Sequence, residues 1–272
     1  MPARAALQAG RPVHEIGAWD SATAYLGRPR SWGHRLRQAG RRCLSFGKLH
    51  FASGANDNGF DPEVLPMHIY KGVGWTLAML RDDPPVSVSC ADYAVEVGPG
   101  RCSYTDYDEA VAEAAAAWIA GEGASDTAGW TLFVSFTAPH FPLLVPEPFW
   151  SPYAEAALPP PVCYRTGEAR HPVLDRLAEA LPYDDHFDAE RLVAARRAYC
   201  GLVAFLDHQV GIVLDALERS GAAERTDVIY TSDHGESLGN HGFWAKSTMF
   251  EHSAGVPLLL SGPGLPQGRV EE

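Results

Sequence analysis

The 272-residue sequence has no uninterrupted apolar run approaching the ~20 residues that a membrane-spanning helix requires. Its first residues, MPARAALQAGR, lack the apolar core of a secretory signal. These absences predict a cytoplasmic protein with no membrane partner. Basic residues are scarce as well: 22 Lys+Arg against 34 Asp+Glu leave a formal charge of −12. A chain this acidic offers no broad basic face to a phosphate backbone or an anionic lipid surface, which argues against a nucleic-acid partner. Cysteine is limited to Cys43, Cys90, Cys102, Cys163 and Cys200, widely spaced and without a CxxC pair. That pattern reads as reduced structural thiols, not as a disulfide framework. There is no internal repeat, and no low-complexity tract beyond the alanine run at 114–117.

What is present suits a folded core, with 46% hydrophobic and 10% aromatic residues. The sequence reads as one domain over 1–272. Its prolines concentrate at 51–101 and 139–182, two segments of little periodicity that read as irregular insertions facing a site. Between them the periodicity is clearer. Helices are predicted over 30–39, stopped by Gly40, and over 107–120, with Asp106 as N-cap and Gly121 as stop. Residues 188–219 carry apolar positions at helical spacing, as one long helix or two meeting near Gly201 or Gly211. Buried strands are predicted at 43–46, 130–136, 228–230 and 256–260. Strands alternating with helices predict an α/β layered fold.

Three of these strands run into polar residues at their carboxyl ends: Lys48 and His50, then His140, then Ser232-Asp233-His234-Gly235. Open α/β sheets place ligands at that edge. A carboxylate beside an imidazole at a strand end can hold a divalent ion from a rigid base. Taken alone, Asp233 reads equally well as an N-cap and His234 as a hydrogen-bonded loop histidine.

The residues that follow add spaced elements in order. After Asp233-His234-Gly235 come Gly239-Asn240-His241-Gly242-Phe243-Trp244-Ala245-Lys246, then Glu251-His252-Ser253, then Val256-Pro257. Upstream lie Gly47-Lys48-Leu49-His50 and Ala138-Pro139-His140-Phe141-Pro142. At the start of the chain, Pro2-Ala3-Arg4 precedes Leu7 and Gly10-Arg11. Together these resemble the sulfatase family of the alkaline phosphatase superfamily: S-D-H-G, W-x-K and E-x-S-x-x-V-P late in the chain, G-K-x-H and P-H-x-P earlier, and C-x-P-x-R-x-x-L-x-x-G-R first. In that last motif the cysteine would precede Met1, and the family's aspartate-bearing strand lies further upstream. The chain therefore reads as a fragment of a protein that begins earlier and continues beyond Glu272 into a smaller subdomain.

The resemblance implies a three-layer αβα sandwich around a mostly parallel mixed sheet, alkaline phosphatase-like and incomplete here. It implies sulfuric ester hydrolysis on a small-molecule sulfate monoester through a formylglycine nucleophile. One divalent cation would assist, calcium before magnesium or manganese, held by Asp233 and His234. Arg4 would orient the nucleophile, while Lys48, His140 and Lys246 would cradle sulfate oxygens. His50 or Lys246 would move a proton to or from the leaving oxygen. Read singly, Arg4 suits a surface arginine at a frayed terminus, Lys48 a solvated strand end, and His50 and His140 loop histidines. His241 and His252 read as structural. Tyr70, Trp75 and Trp244 read as pocket aromatics or as core. A phosphonate or phosphate ester hydrolase of the same superfamily is the alternative, because the same shell suits phosphoryl oxygens. A catalytically inactive anion-binding remnant is another. Unpaired strand edges would make the isolated chain prone to aggregate.

Overall fold

A computed structural model describes residues 2–72, 74, 90–164, 167 and 171–269. The elements run α1 (Pro2–Ala9), α2 (Val13–Ile16), α3 (Trp32–Gln38), β1 (Arg42–Lys48), β2 (Glu63–Met67), α4 (Cys90–Val95), β3 (Val97–Pro99), α5 (Ser103–Trp118) and β4 (Trp130–Ser135). They continue with β5 (Leu143–Val145), α6 (Glu147–Trp150), α7 (Pro172–Ala180), α8 (Ala189–Arg219), β6 (Val228–Thr231), α9 (Glu251–Ala254) and β7 (Leu258–Ser261). The main sheet is parallel, in the order β2-β1-β4. β3 and β5 form a second parallel pair, and β6 and β7 an antiparallel one.

Side-chain alternation along β1 and β4 sorts residues onto two faces. Cys43 and Phe133 pack with Ala5, Tyr25, Trp32 and Leu36 on the side of α1–α3. Leu44, Phe46, Leu132 and Val134 pack with Val111 and Ala115 of α5 and with Val213 of α8 on the other. Helices therefore cover both faces of a mostly parallel sheet, which is the αβα arrangement.

The helices start where their caps allow. Asp188 Oδ1 accepts from Arg191 N at 2.8 Å and opens α8, while Ser31 Oγ caps α3. α8 is one continuous helix through Gly201, where an added Cβ would lie 2.8 Å from Val145 Cγ1. That glycine serves close packing on β5 and does not break the helix. α8 is also the one described helix long and apolar enough to cross a membrane; its buried residues, among them Leu192, Leu202 and Phe205, face protein instead.

Three expectations need correction. α5 begins at Ser103, not after Asp106; Cys102 occupies the cap, and Asp106 pairs with Arg101 at 2.6 Å in the first turn. β7 begins at Leu258 because Pro257 has no N–H to give a ladder. Its residues are exposed, with Leu258 at 64% and Leu260 at 56%, so it is no buried strand. The proline-rich segments also hold regular structure: β2, α4 and β3 fall within 51–101, and β5, α6 and α7 within 139–182. β2 pairs with β1 through a bulge at Leu65, whose φ is +49°, beside the register shift between Phe46 and Lys48.

Candidate active site

The parallel sheet delivers Lys48 at the end of β1 and Ser135 at the end of β4, while β6 leads into Asp233. Arg4, in the first turn of α1, ties the three together. Its Nε donates to Asp233 Oδ2 at 2.7 Å, and its NH1 donates to the Lys48 carbonyl at 2.8 Å and to Ser135 Oγ at 3.0 Å. A planar guanidinium with several donors is suited to bridging three elements in this way. Arg4 is thus no surface arginine at a frayed end. The surface-residue reading of Lys48 fails likewise, since that side chain is only 8% exposed.

His140 and Lys246 meet from opposite sides of the sequence. His140 Nδ1 lies 2.7 Å from the Phe141 carbonyl, which can only accept, so Nδ1 carries the proton. Its Nε2 is left to accept from Lys246 Nζ at 2.6 Å. Lys246 stands between Ala245 at φ +58° and Ser247 at φ +116°, conformations that side chains rarely adopt. Phe187 stacks on the neighbouring Trp244 with centroids 3.7 Å apart and holds that turn in place.

The electrostatics follow from gathering cations out of water. Burial first, and Arg4 next, pull the Lys48 ammonium down to about 8. Burial also lowers Lys246. Burial and then Lys48 lower His50 to about 3, and burial and then Lys246 push His140 well below the usual imidazole range. Burial alone would raise the Asp233 carboxyl, but Arg4, His234 and Lys48 outweigh it and hold it below the ordinary carboxylate range. The result is an ionised Asp233 facing several cations, with Asp108 acting on Lys48 and Glu236 on Lys246 from further round the cluster.

His234 shows how a cation would be held. Its Nδ1 donates to the Gly235 carbonyl at 2.8 Å, leaving Nε2 as an acceptor 3.8 Å from Asp233 Oδ1. Two acceptors facing each other are stabilised by a cation between them, so this pair fits two ligand positions of a divalent ion. Among the described residues, no group of three or more His, Cys, Asp or Glu forms a larger cage. Gly235 keeps the pair in register: an added Cβ would lie 2.2 Å from the His252 carbonyl, and its N–H donates to the Ser253 carbonyl at 2.9 Å.

Other candidates separate from the cluster. His241 and His252 stack with Phe250, His241 lying 3.9 Å from that ring, in a packing role beside α9. Trp244 is core, Tyr70 is 80% exposed, and Trp75 lies outside the described residues. Three residues near the cluster carry no sequence motif. Ser135 binds Arg4; Asp108 accepts from the Thr137 and Ala138 amides; Glu236 is pushed up to about 7 by burial against the opposing pull of Lys246. Asp108 had one signal, an acid on the helix face it shares with Val111, Ala112 and Ala115.

The family model described as Sulfatase matches residues 1–272. The chain is 32% identical over 278 residues to a choline-sulfatase of Rhizobium meliloti, covering 98% of this chain and 54% of that protein. It is 27% identical over 282 residues to an arylsulfatase K of Danio rerio, covering 98% and 51%. It therefore spans about half the length of the curated relatives it matches. A phosphonate monoester hydrolase from Silicibacter pomeroyi shares the fold with a TM-score of 0.70 at 24% identity, covering 97% of this chain and 58% of that one.

Proposed function

Because the chain belongs to the sulfatase family, we propose that it carries the anion-binding side of a sulfuric ester hydrolase acting on a small-molecule sulfate monoester. The observation that carries this reading is the meeting of Arg4, Lys48, His140 and Lys246 near the Asp233 carboxylate, at the carboxyl edge of a parallel sheet.

In this reading Lys48 and Lys246 donate to sulfate oxygens and offset charge as it moves toward the leaving oxygen. Arg4 holds the β1, β4 and β6 ends in fixed relation, so the donors do not have to rearrange during the reaction. Asp233 and His234 would hold a divalent cation, calcium before magnesium or manganese, which would supply polarisation of the sulfate and of the formylglycine nucleophile that the family motif implies. Proton movement divides by chemistry. His50, with its pKa lowered to about 3, is neutral at neutral pH and faces the site as a neutral imidazole with no proton charge to give up. Lys48, near 8, is charged at pH 7 but releases a proton more readily than a free amine, which suits donation to a leaving alkoxide, and burial shifts Lys246 in the same direction. Negative charge elsewhere on the chain does not oppose this, because local cations set the field at the site.

The test is hydrolysis of 4-nitrophenyl sulfate beside 4-nitrophenyl phosphate and a phenylphosphonate ester, with and without added calcium. Fastest release from the sulfate supports the proposal. Fastest release from the phosphonate or phosphate favours the phosphoryl alternative, for which the same donors serve. Saturable sulfate binding with no release from any ester marks an anion-binding remnant.

A further inference from the structure

Asp108 lies in the middle of the apolar face of α5 with no exposure to solvent. A carboxylate withdrawn from water is costly unless its oxygens are fully hydrogen-bonded. Both oxygens are used. Oδ1 accepts from Thr137 N and Oδ2 from Ala138 N, each at 2.7 Å. These two amides come directly after Ser135 and Phe136, where β4 has ended and the ladder no longer supplies partners. Two consecutive amides on one carboxylate are charge-assisted bonds that fix the loop's path and its orientation.

From there the linkage to the site is short. His140 N donates to the Thr137 carbonyl at 3.0 Å, so the residue clamped by Asp108 also closes the turn that presents His140. Tyr104, one helical turn before Asp108, packs its ring against His140 with centroids 6.3 Å apart, and its carbonyl accepts from Thr137 Oγ1 at 3.4 Å. A small cavity lies among Tyr104, Asp108, Thr137, Ala138 and His140. We propose that Asp108 is a positioning residue for His140: its carboxylate clamps the Thr137 and Ala138 amides and so fixes the imidazole with Nδ1 protonated and Nε2 turned to Lys246. The functional meaning of that geometry rests on the sulfatase reading above; the geometry itself does not.

Asp108→Asn keeps the size of the side chain but turns an NH₂ group toward one of the two amides. In this variant the 15N resonances of His140 are expected to lose the single Nδ1–H pattern of the unmutated protein, and affinity for inorganic sulfate to fall about tenfold, the scale of one lost charge-assisted bond. Asp106→Asn, which removes an exposed acid of the same helix that pairs with Arg101, should leave both readouts as in the unmutated protein. An Asp108→Asn variant with unchanged His140 resonances and unchanged sulfate affinity overturns the proposal. Should that variant not fold, amide exchange in the unmutated protein decides: slow exchange at Thr137 and Ala138 supports the clamp, and exchange at the rate of an open loop overturns it. Absence of sulfate binding in the unmutated protein counts against the sulfatase reading, while the His140 resonances still test the clamp.

Discussion

Arg4 Nε lies 2.7 Å from Asp233 Oδ2, joining the first helix of the chain to the residues just past β6 across 229 positions of sequence. Both side chains are mostly buried, at 11% and 17% exposure. Removing one partner of such a pair leaves an uncompensated charge. Arg4→Ala is therefore expected to destabilise the fold by about 3 kcal/mol in urea unfolding at neutral pH. Arg4→Lys should recover only part of this, because an ammonium cannot also reach the Lys48 carbonyl and Ser135 Oγ in the guanidinium's fixed geometry. Equal stability of the alanine variant and the parent would contradict this role for the pair.

Sulfate affinity should depend on pH through Lys48. Burial, and then Arg4, lower its pKa to about 8, so the ammonium is charged below that pH and neutral above it. An anion site needs the charged form. Affinity is expected to fall as pH rises through 8, and Lys48→Met should bind more weakly at neutral pH and lack that step. A titration series on both proteins, by calorimetry, checks the direction. An affinity that rises across this interval would refute it.

Gly235→Ala tests the packing beneath Asp233 and His234. The new Cβ would lie 2.2 Å from the His252 carbonyl and 3.1 Å from that of Gly255, with backbone on both sides and no flexible side chain to yield. A loss of roughly 2 kcal/mol is expected, as for an overpacked core position. Retained stability would mean that α9 can move away from the turn.

Much of this arrangement was legible in sequence, for physical reasons that differ by element. β1 and β4 are short apolar runs and α8 carries a helical pattern, and Lys48 and Asp233 lie at strand ends, where polar residues stand out against those runs. β2 was not legible, because Pro66 and the bulge at Leu65 interrupt its alternation and its pairing comes from a distant β1. Asp108 was hidden for a different reason. Its place on the apolar face of α5 marks it as unusual, but its meaning depends on two amides about thirty residues away that α5 alone does not reveal. The burial of β6 and β7 was misread because apolar content shows what a strand prefers, not whether anything covers it.

The exposed β6–β7 ladder has a consequence in solution. Ile229 is 65% exposed and pairs with Leu260 at 56%, beside Leu258 and Leu259 at 64% and 62%. An apolar two-stranded ladder of this kind favours self-association. Sedimentation of the purified chain should show concentration-dependent oligomers, and Leu260→Lys should raise the monomer fraction. A parent chain that stays monomeric at all concentrations would show that the ladder is not adhesive.

The most direct test of the anion cradle is calorimetric titration of inorganic sulfate into the protein and into Lys246→Met. Saturable binding to the parent is expected, with a loss of about tenfold or more in the variant and an unfolding midpoint near that of the parent. Equal affinity in the two proteins would contradict the claim that Lys246, set 2.6 Å from His140, serves to hold an anion.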